Sequence, residues 1–282
     1  MTDDCGLLNL ATCIPQKLFE FLINLLNSAL SPLLSLVKSL LTDPIQVSSF
    51  GSLWAIMVYI ISLFYGFLLL YSGFNFILSG YNAPKRENAK EWLRNIIIMI
   101  VLVQASYFLY SLVLDMNSLM TSGIMNLITE EFFKLTADNI VNIGLQFLFA
   151  ILYALILIIS VLMLAIRYLI VVAGVAIFPL GIFLFFIPPL KQYGQFILNF
   201  LGGCIFVTFF DVLIFLFSSK LLEISLFENV KILVMIAAFG MANILMIFVI
   251  FFSAVKAALN FTNKATGMII LATKYFAKKD EE

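Results

Sequence analysis

The chain has 282 residues, of which 63% are hydrophobic and 11% charged, with 16 Lys and Arg against 16 Asp and Glu. Soluble domains carry about 25% charged and about 45–50% apolar residues. A 31.7 kDa chain with a mean hydropathy of +1.11 cannot hide this much apolar surface in one core, so a water-soluble fold is excluded. With no histidine in the sequence, histidine metal sites and Ser-His or Cys-His catalytic pairs are excluded too.

In a bilayer interior every backbone polar group needs an internal partner, which leaves helices or a closed barrel. Barrel strands alternate apolar and polar residues. Here the apolar runs are continuous over more than about 20 residues, the length of one helical crossing. The expected fold is all-α and polytopic. The start, MTDDCGLLNLATCIPQ, has no basic stretch leading into an apolar one and does not read as a cleavable signal peptide. Residues 16–42 carry Leu18, Phe21, Leu22, Leu25 and Leu26 at helical spacing with Lys17, Glu20, Asn24 and Asn27 between them. That pattern predicts an amphipathic helix in the interface. Residues 53–79 contain no charge and have Trp54, Tyr59 and Tyr71 toward their ends, as a spanning helix with interfacial aromatics should. A polar link, 80–94, joins it to a second span, 95–114, in a helical hairpin. Residues 115–140 hold four carboxylates against Lys134, with a short amphipathic helix expected around Ile124–Phe133.

Residues 141–189 are apolar apart from Arg167 and a few small or amide residues. Gly174, Pro179, Gly181, Pro188 and Pro189 fall in the second half and predict a kinked or re-entrant element at 168–189 after a crossing at 141–166. Spans at 195–219 and 232–256 come next, then an amphipathic tail. The count is about five crossings plus the re-entrant or sixth segment, with amphipathic helices at both ends. The domains expected are an extracytoplasmic segment at 1–50, a membrane domain at 51–260 and a cytoplasmic tail at 261–282.

Lys and Arg in short loops mark the cytoplasmic side. Lys85, Arg86, Lys90 and Arg94 lie in the 80–94 link, and Lys256, Lys264, Lys274, Lys278 and Lys279 lie toward the C-terminus. The expected protein is a multi-pass protein of the plasma (inner) membrane, with its N-terminus outside and its C-terminus in the cytoplasm. Cys13 lies eight positions after Cys5. An outside N-terminus permits a disulfide between them, two free thiols being the alternative.

Arg167 and Asp211 are the charges inside apolar runs, where each costs at least about 2.5–3.5 kcal/mol. They read as a polar cavity on a substrate path, or as a structural ion pair with Arg167 at a helix end. No phosphate-binding loop, dinucleotide fingerprint or catalytic carboxylate pair occurs. The sequence implies no cofactor, no metal and no enzymatic activity.

Two segments carry a resemblance. GFNFILSGYNAPKRENAKEWLRNIIIMIVLVQASYFLY, residues 73–110, resembles the hairpin of membrane subunits and pilin-like proteins of conjugation machines. AIRYLIVVAGVAIFPLGIFLFFIPPLKQYGQFILNFLGG, residues 165–203, resembles the core signature of TrbL-type polytopic subunits of type IV secretion systems. In it Arg167 ends a span, Pro179 and Leu180 come after it, Pro188 makes a turn, and Gly202 and Gly203 lie in the next span. An archaeal Ced-type DNA-exchange subunit is a related resemblance.

The resemblance implies a homo-oligomeric ring at the base of a secretion channel or pilus. It would move DNA, protein or pilin across the lipid bilayer, powered by separate ATPase subunits. Two other classes compete: a small-solute or ion transporter, which needs a midplane site on broken helices, and a membrane scaffold that conducts nothing.

Overall fold

A computed structural model describes residues 10–81, 83–135, 143–224, 227 and 230–252. Among them the chain folds as six long helices and no strands: α1 (Leu10–Thr42), α2 (Gly51–Leu78), α3 (Ala83–Met125), α4 (Ile143–Phe186), α5 (Lys191–Leu221) and α6 (Lys231–Ile247). Short 3₁₀ turns precede α2, α3 and α5, and another, Glu130–Phe133, lies between α3 and α4. A π-helical turn, Phe248–Phe252, comes after α6. Six helical segments among the described residues are long and apolar enough to cross a membrane, the first being Phe21–Thr42 within α1.

Three expectations need correction. Residues 80–94 are not a loop: only Ser79–Tyr81 form a turn, and α3 is helical from Ala83. The lysines and arginines of the expected link therefore stand on the first three turns of α3. Exposed Lys90–Glu87 and Arg94–Glu91 pairs at helical spacing support those turns. Residues 115–125 likewise continue α3, and the short element beyond its end is a 3₁₀ turn rather than a separate amphipathic helix.

The third correction concerns 168–189. Residues up to Phe186 continue α4 without interruption, with Pro179 inside the helix. The expected re-entrant piece is the second half of one 44-residue helix. At 1.5 Å per residue such a helix is about 66 Å long, roughly twice the hydrocarbon thickness. The glycines that read as helix breakers are contact points between α4 and α5. A Cβ on Gly181 would lie 2.9 Å from Ile197 Cγ2, and one on Gly174 would run into the Tyr110 hydroxyl and Leu201. At Gly194 on α5 a Cβ would meet the backbone of Phe185 and the Gly181 carbonyl oxygen. Small residues let helix backbones approach closely in a membrane, and that is their use here. Pro188 and Pro189 form the 3₁₀ turn between the two helices.

The chain divides into two compact units. One takes α1, α3 from Ser111, α4 as far as Val172, α5 from Ile205 and α6 to Leu245. Its core is an aromatic cluster in which Phe133, Phe215, Phe239 and Tyr153 meet at centroid distances of 4.6–6.2 Å. Asn27 of α1 clamps the loop after the Glu130–Phe133 turn from both sides. Its Nδ2 donates to Leu135 O at 2.8 Å and its Oδ1 accepts from Leu135 N at 3.0 Å. Ser118 Oγ on α3 donates to the Thr42 carbonyl at the end of α1.

The other unit takes α2, α3 up to Tyr110, α4 from Ala173, α5 up to Cys204 and residues 246–252. Val58, Ile61, Ile96, Met99, Val103, Ile182 and Phe183 form its core. Trp54 Nε1 donates to Ser106 Oγ at 2.8 Å, satisfying an indole that would otherwise bury a donor. The outward face of α2, with Phe67, Leu70, Ile77 and Leu78, is strongly exposed, as a lipid-facing surface is.

Cys5 and residues 253–282 lie outside the described residues, and so therefore do the candidate Cys5–Cys13 disulfide and the tail at 261–282.

Candidate functional site

Arg167 and Asp211 both fall in the first unit and are 2% and 1% exposed. They come from different helices, α4 and α5. One guanidinium nitrogen of Arg167 donates to the Ile205 carbonyl at 2.9 Å and to Thr208 Oγ1 at 3.3 Å. Thr208 Oγ1 in turn lies 3.2 Å from the Ile205 carbonyl and accepts from Asn117 Nδ2 of α3 at 3.0 Å. Three helices are thus tied by one buried polar network built on Asn117, Arg167 and Thr208.

Asp211 stands three residues beyond Thr208, so the two share a face of α5 with Cβ atoms about 5–6 Å apart. Its carboxylate lies within electrostatic reach of Arg167. Neither of its oxygens, nor Asn117 Oδ1, has a hydrogen-bond partner among the described residues. Buried oxygens without donors inside an apolar segment are costly, and ionisable ones cluster at functional places in membrane proteins. Sequence reading finds Arg167 and Asp211 because charge stands out in an apolar run. It passes over Thr208 and Asn117, because neither carries charge.

Other polar features lie at the edges of the units. In the first, Lys231 Nζ donates to the Glu131 carbonyl at 2.6 Å and Lys38 faces Glu130 at 3.8 Å. A cavity of about 360 Å³ is bounded there by Asn27, Ser31, Ser35 and Lys38 on one stripe of α1, with Glu130 and Lys134 opposite. In the second unit Lys85 lines a cavity of about 580 Å³ together with Pro188 and Pro189. The basic start of α3 and the proline turn, separate in sequence, meet at that cavity. Of the other residues named for the resemblance, Gly202 has open space where a Cβ would stand, and Gly203 faces Val249 at 3.2 Å. Pro179 lies within α4.

No group of three or more His, Cys, Asp or Glu able to hold a metal occurs among the described residues. The network has no nucleophile paired with a base. What it offers is a fixed cation and unsatisfied acceptors within a helical bundle.

Comparison with known proteins places the chain. Neither the curated proteins nor the solved structures include a match to it. The model of a family described as TrbL/VirB6 plasmid conjugal transfer like protein matches residues 18–281. That span takes in all of α2 to α6 and most of α1, so the chain belongs to this TrbL/VirB6-like family and is a multi-pass inner-membrane subunit of a conjugal transfer or type IV secretion system.

Proposed function

We propose that the chain is the membrane-embedded channel or platform subunit of its transfer machine, acting as a homo-oligomer without an ATPase of its own. The observation that carries this reading is the family match across residues 18–281, nearly the whole membrane-embedded chain. The buried network of Asn117, Arg167, Thr208 and Asp211 supports it in a second way. A polar group of this kind, inside a bundle otherwise built from apolar residues, suits a protein that must let a polar cargo pass or must change its packing when cargo passes.

The orientation we favour has the N-terminus outside and the C-terminus inside. It takes α1 as interfacial and α2 to α6 as five crossings. The continuity of α4 supports the odd count, because one helix replaces a crossing plus a re-entrant piece. The sidedness of α1 supports the rest: Leu18, Phe21 and Leu25 are exposed while Asn27, Ser31 and Ser35 line a cavity in the first unit. The basic start of α3 then lies inside, where the pilin-handling and secretion ATPases would be met. The loop at 126–135 lies outside, on the side of a pilus or channel.

The test is cysteine crosslinking in native membranes, with two probes per chain on exposed positions of different helices, such as Phe67 on α2 together with Phe217 on α5. We expect ladders of crosslinked species that close at one stoichiometry. Recovery of monomer alone from every probe would overturn the oligomeric reading.

A further inference from the structure

The cavity in the second unit has a chemistry of its own. It lies where α2 ends and α3 begins, against the Pro188–Pro189 turn. Lys85, Asn88, Ala89 and Trp92 line it from one face of α3, at the spacing of successive helical turns. Tyr71, Asn75 and Ser79 line it from α2 and the turn after it, and Tyr71 meets Trp92 edge-on at 6.3 Å. Among the described residues its polar lining holds a cation and several donors, and no carboxylate.

Two observations say what fits. Lys85 and Asn88 line it from exposed positions of α3, and no carboxylate stands among the lining residues. The first turns of α3 carry four cations, Lys85, Arg86, Lys90 and Arg94, against two carboxylates, Glu87 and Glu91. A cation and an amide donor, in a lining without acid and under a net positive field, suit an anionic oxygen. The cavity also opens onto hydrocarbon surface. Leu78 forms part of its wall and is 77% exposed, and Phe74 and Ile77 beside it are exposed as well. A bound molecule can therefore keep a phosphate against Lys85 and Asn88 while its tail runs along α2. Basic pockets between spanning helices take lipid phosphates in this way.

We infer that this cavity is a binding site for the phosphate headgroup of an anionic phospholipid. The lipid couples the α2–α3 turn to the proline turn between α4 and α5. The site is independent of the channel reading, since it needs neither the oligomer nor any cargo.

The chain has two tryptophans, Trp54 and Trp92, so Trp54→Phe leaves Trp92 as the only indole reporter. The detergent-solubilised full chain is titrated with phosphatidylglycerol, with phosphatidylcholine and with inorganic phosphate while Trp92 emission is recorded. Lipid retained on the protein is counted in parallel by native mass spectrometry. We expect a saturable change with phosphatidylglycerol and no saturable change with phosphatidylcholine. Lys85→Gln, at an exposed position, should weaken the phosphatidylglycerol response about tenfold, the effect of one lost charge-assisted contact, and Lys85→Arg should restore most of it. An equal response to inorganic phosphate would make this a soluble-anion site and overturn the lipid assignment. Equal responses to both lipids, or a Lys85→Gln chain that binds as wild type does, would overturn the headgroup site itself.

Discussion

Gly194 is the sharpest place to test the packing. A methyl group there would stand 2.6 Å from both the Gly181 carbonyl oxygen and Phe185 Cα, and closer still to the Phe185 nitrogen. Those atoms are backbone, so no rotamer change relieves the contact, and α5 must move away from α4. Overpacking of this kind costs about 1–3 kcal/mol, occasionally more. The gain from replacing Gly by Ala in a helix interior, up to about 1 kcal/mol, offsets only part of it. Gly202 on the same helix has nothing within 4 Å of its Cβ position, so Gly202→Ala should be neutral or stabilising by up to that amount. Gly174→Ala should fall between them, because the first atom met is the end of the Tyr110 side chain. Unfolding of the three variants in mixed detergent micelles, monitored by loss of helical circular dichroism, gives the order. Gly194→Ala as stable as Gly202→Ala would refute the close α4–α5 hairpin.

Other expectations rest on single interactions. Arg167→Met leaves Asp211 buried without its cation and should cost about 3–5 kcal/mol; Arg167→Met with Asp211→Leu should recover part of that, and strict additivity in the double-mutant cycle would contradict coupling between the two. Asn27→Leu removes both bonds to Leu135 and should destabilise by about 1–3 kcal/mol, with faster hydrogen exchange at the Leu135 amide; unchanged exchange would count against the clamp. Trp54→Phe forfeits the bond to Ser106 but keeps the ring, so a loss of about 1 kcal/mol is expected in the same unfolding assay.

The spans were legible because long apolar runs have few readings. Residues 53–79 and 195–219 match α2 and α5 to within a few residues. Polarity misled where helices run on beyond the apolar stretch: 80–94 and 115–125 look like loops by hydropathy, yet both belong to α3. The pairs Glu87–Lys90 and Glu91–Arg94 were the signal for the first of these, since charges three apart are what an exposed helix uses. Glycine and proline misled at 168–189. Gly174 serves contact with Tyr110 of α3 and Leu201 of α5, and Gly181 contact with α5, partners that local sequence does not reveal, and Pro179 is tolerated within α4. Arg167 and Asp211 stood out because charge is rare in such runs. Asn117 did not, because its partner Thr208 is 91 residues away.

The need for this subunit in transfer is measured in cells that lack the chain but keep the rest of the transfer machine. Transfer of DNA or protein to recipients is counted with no replacement, with the wild-type chain, and with Arg167→Met/Asp211→Leu at matched membrane levels. Transfer should be lost without the chain, return with the wild type, and stay low with the double variant. Transfer that persists without the chain would contradict that need.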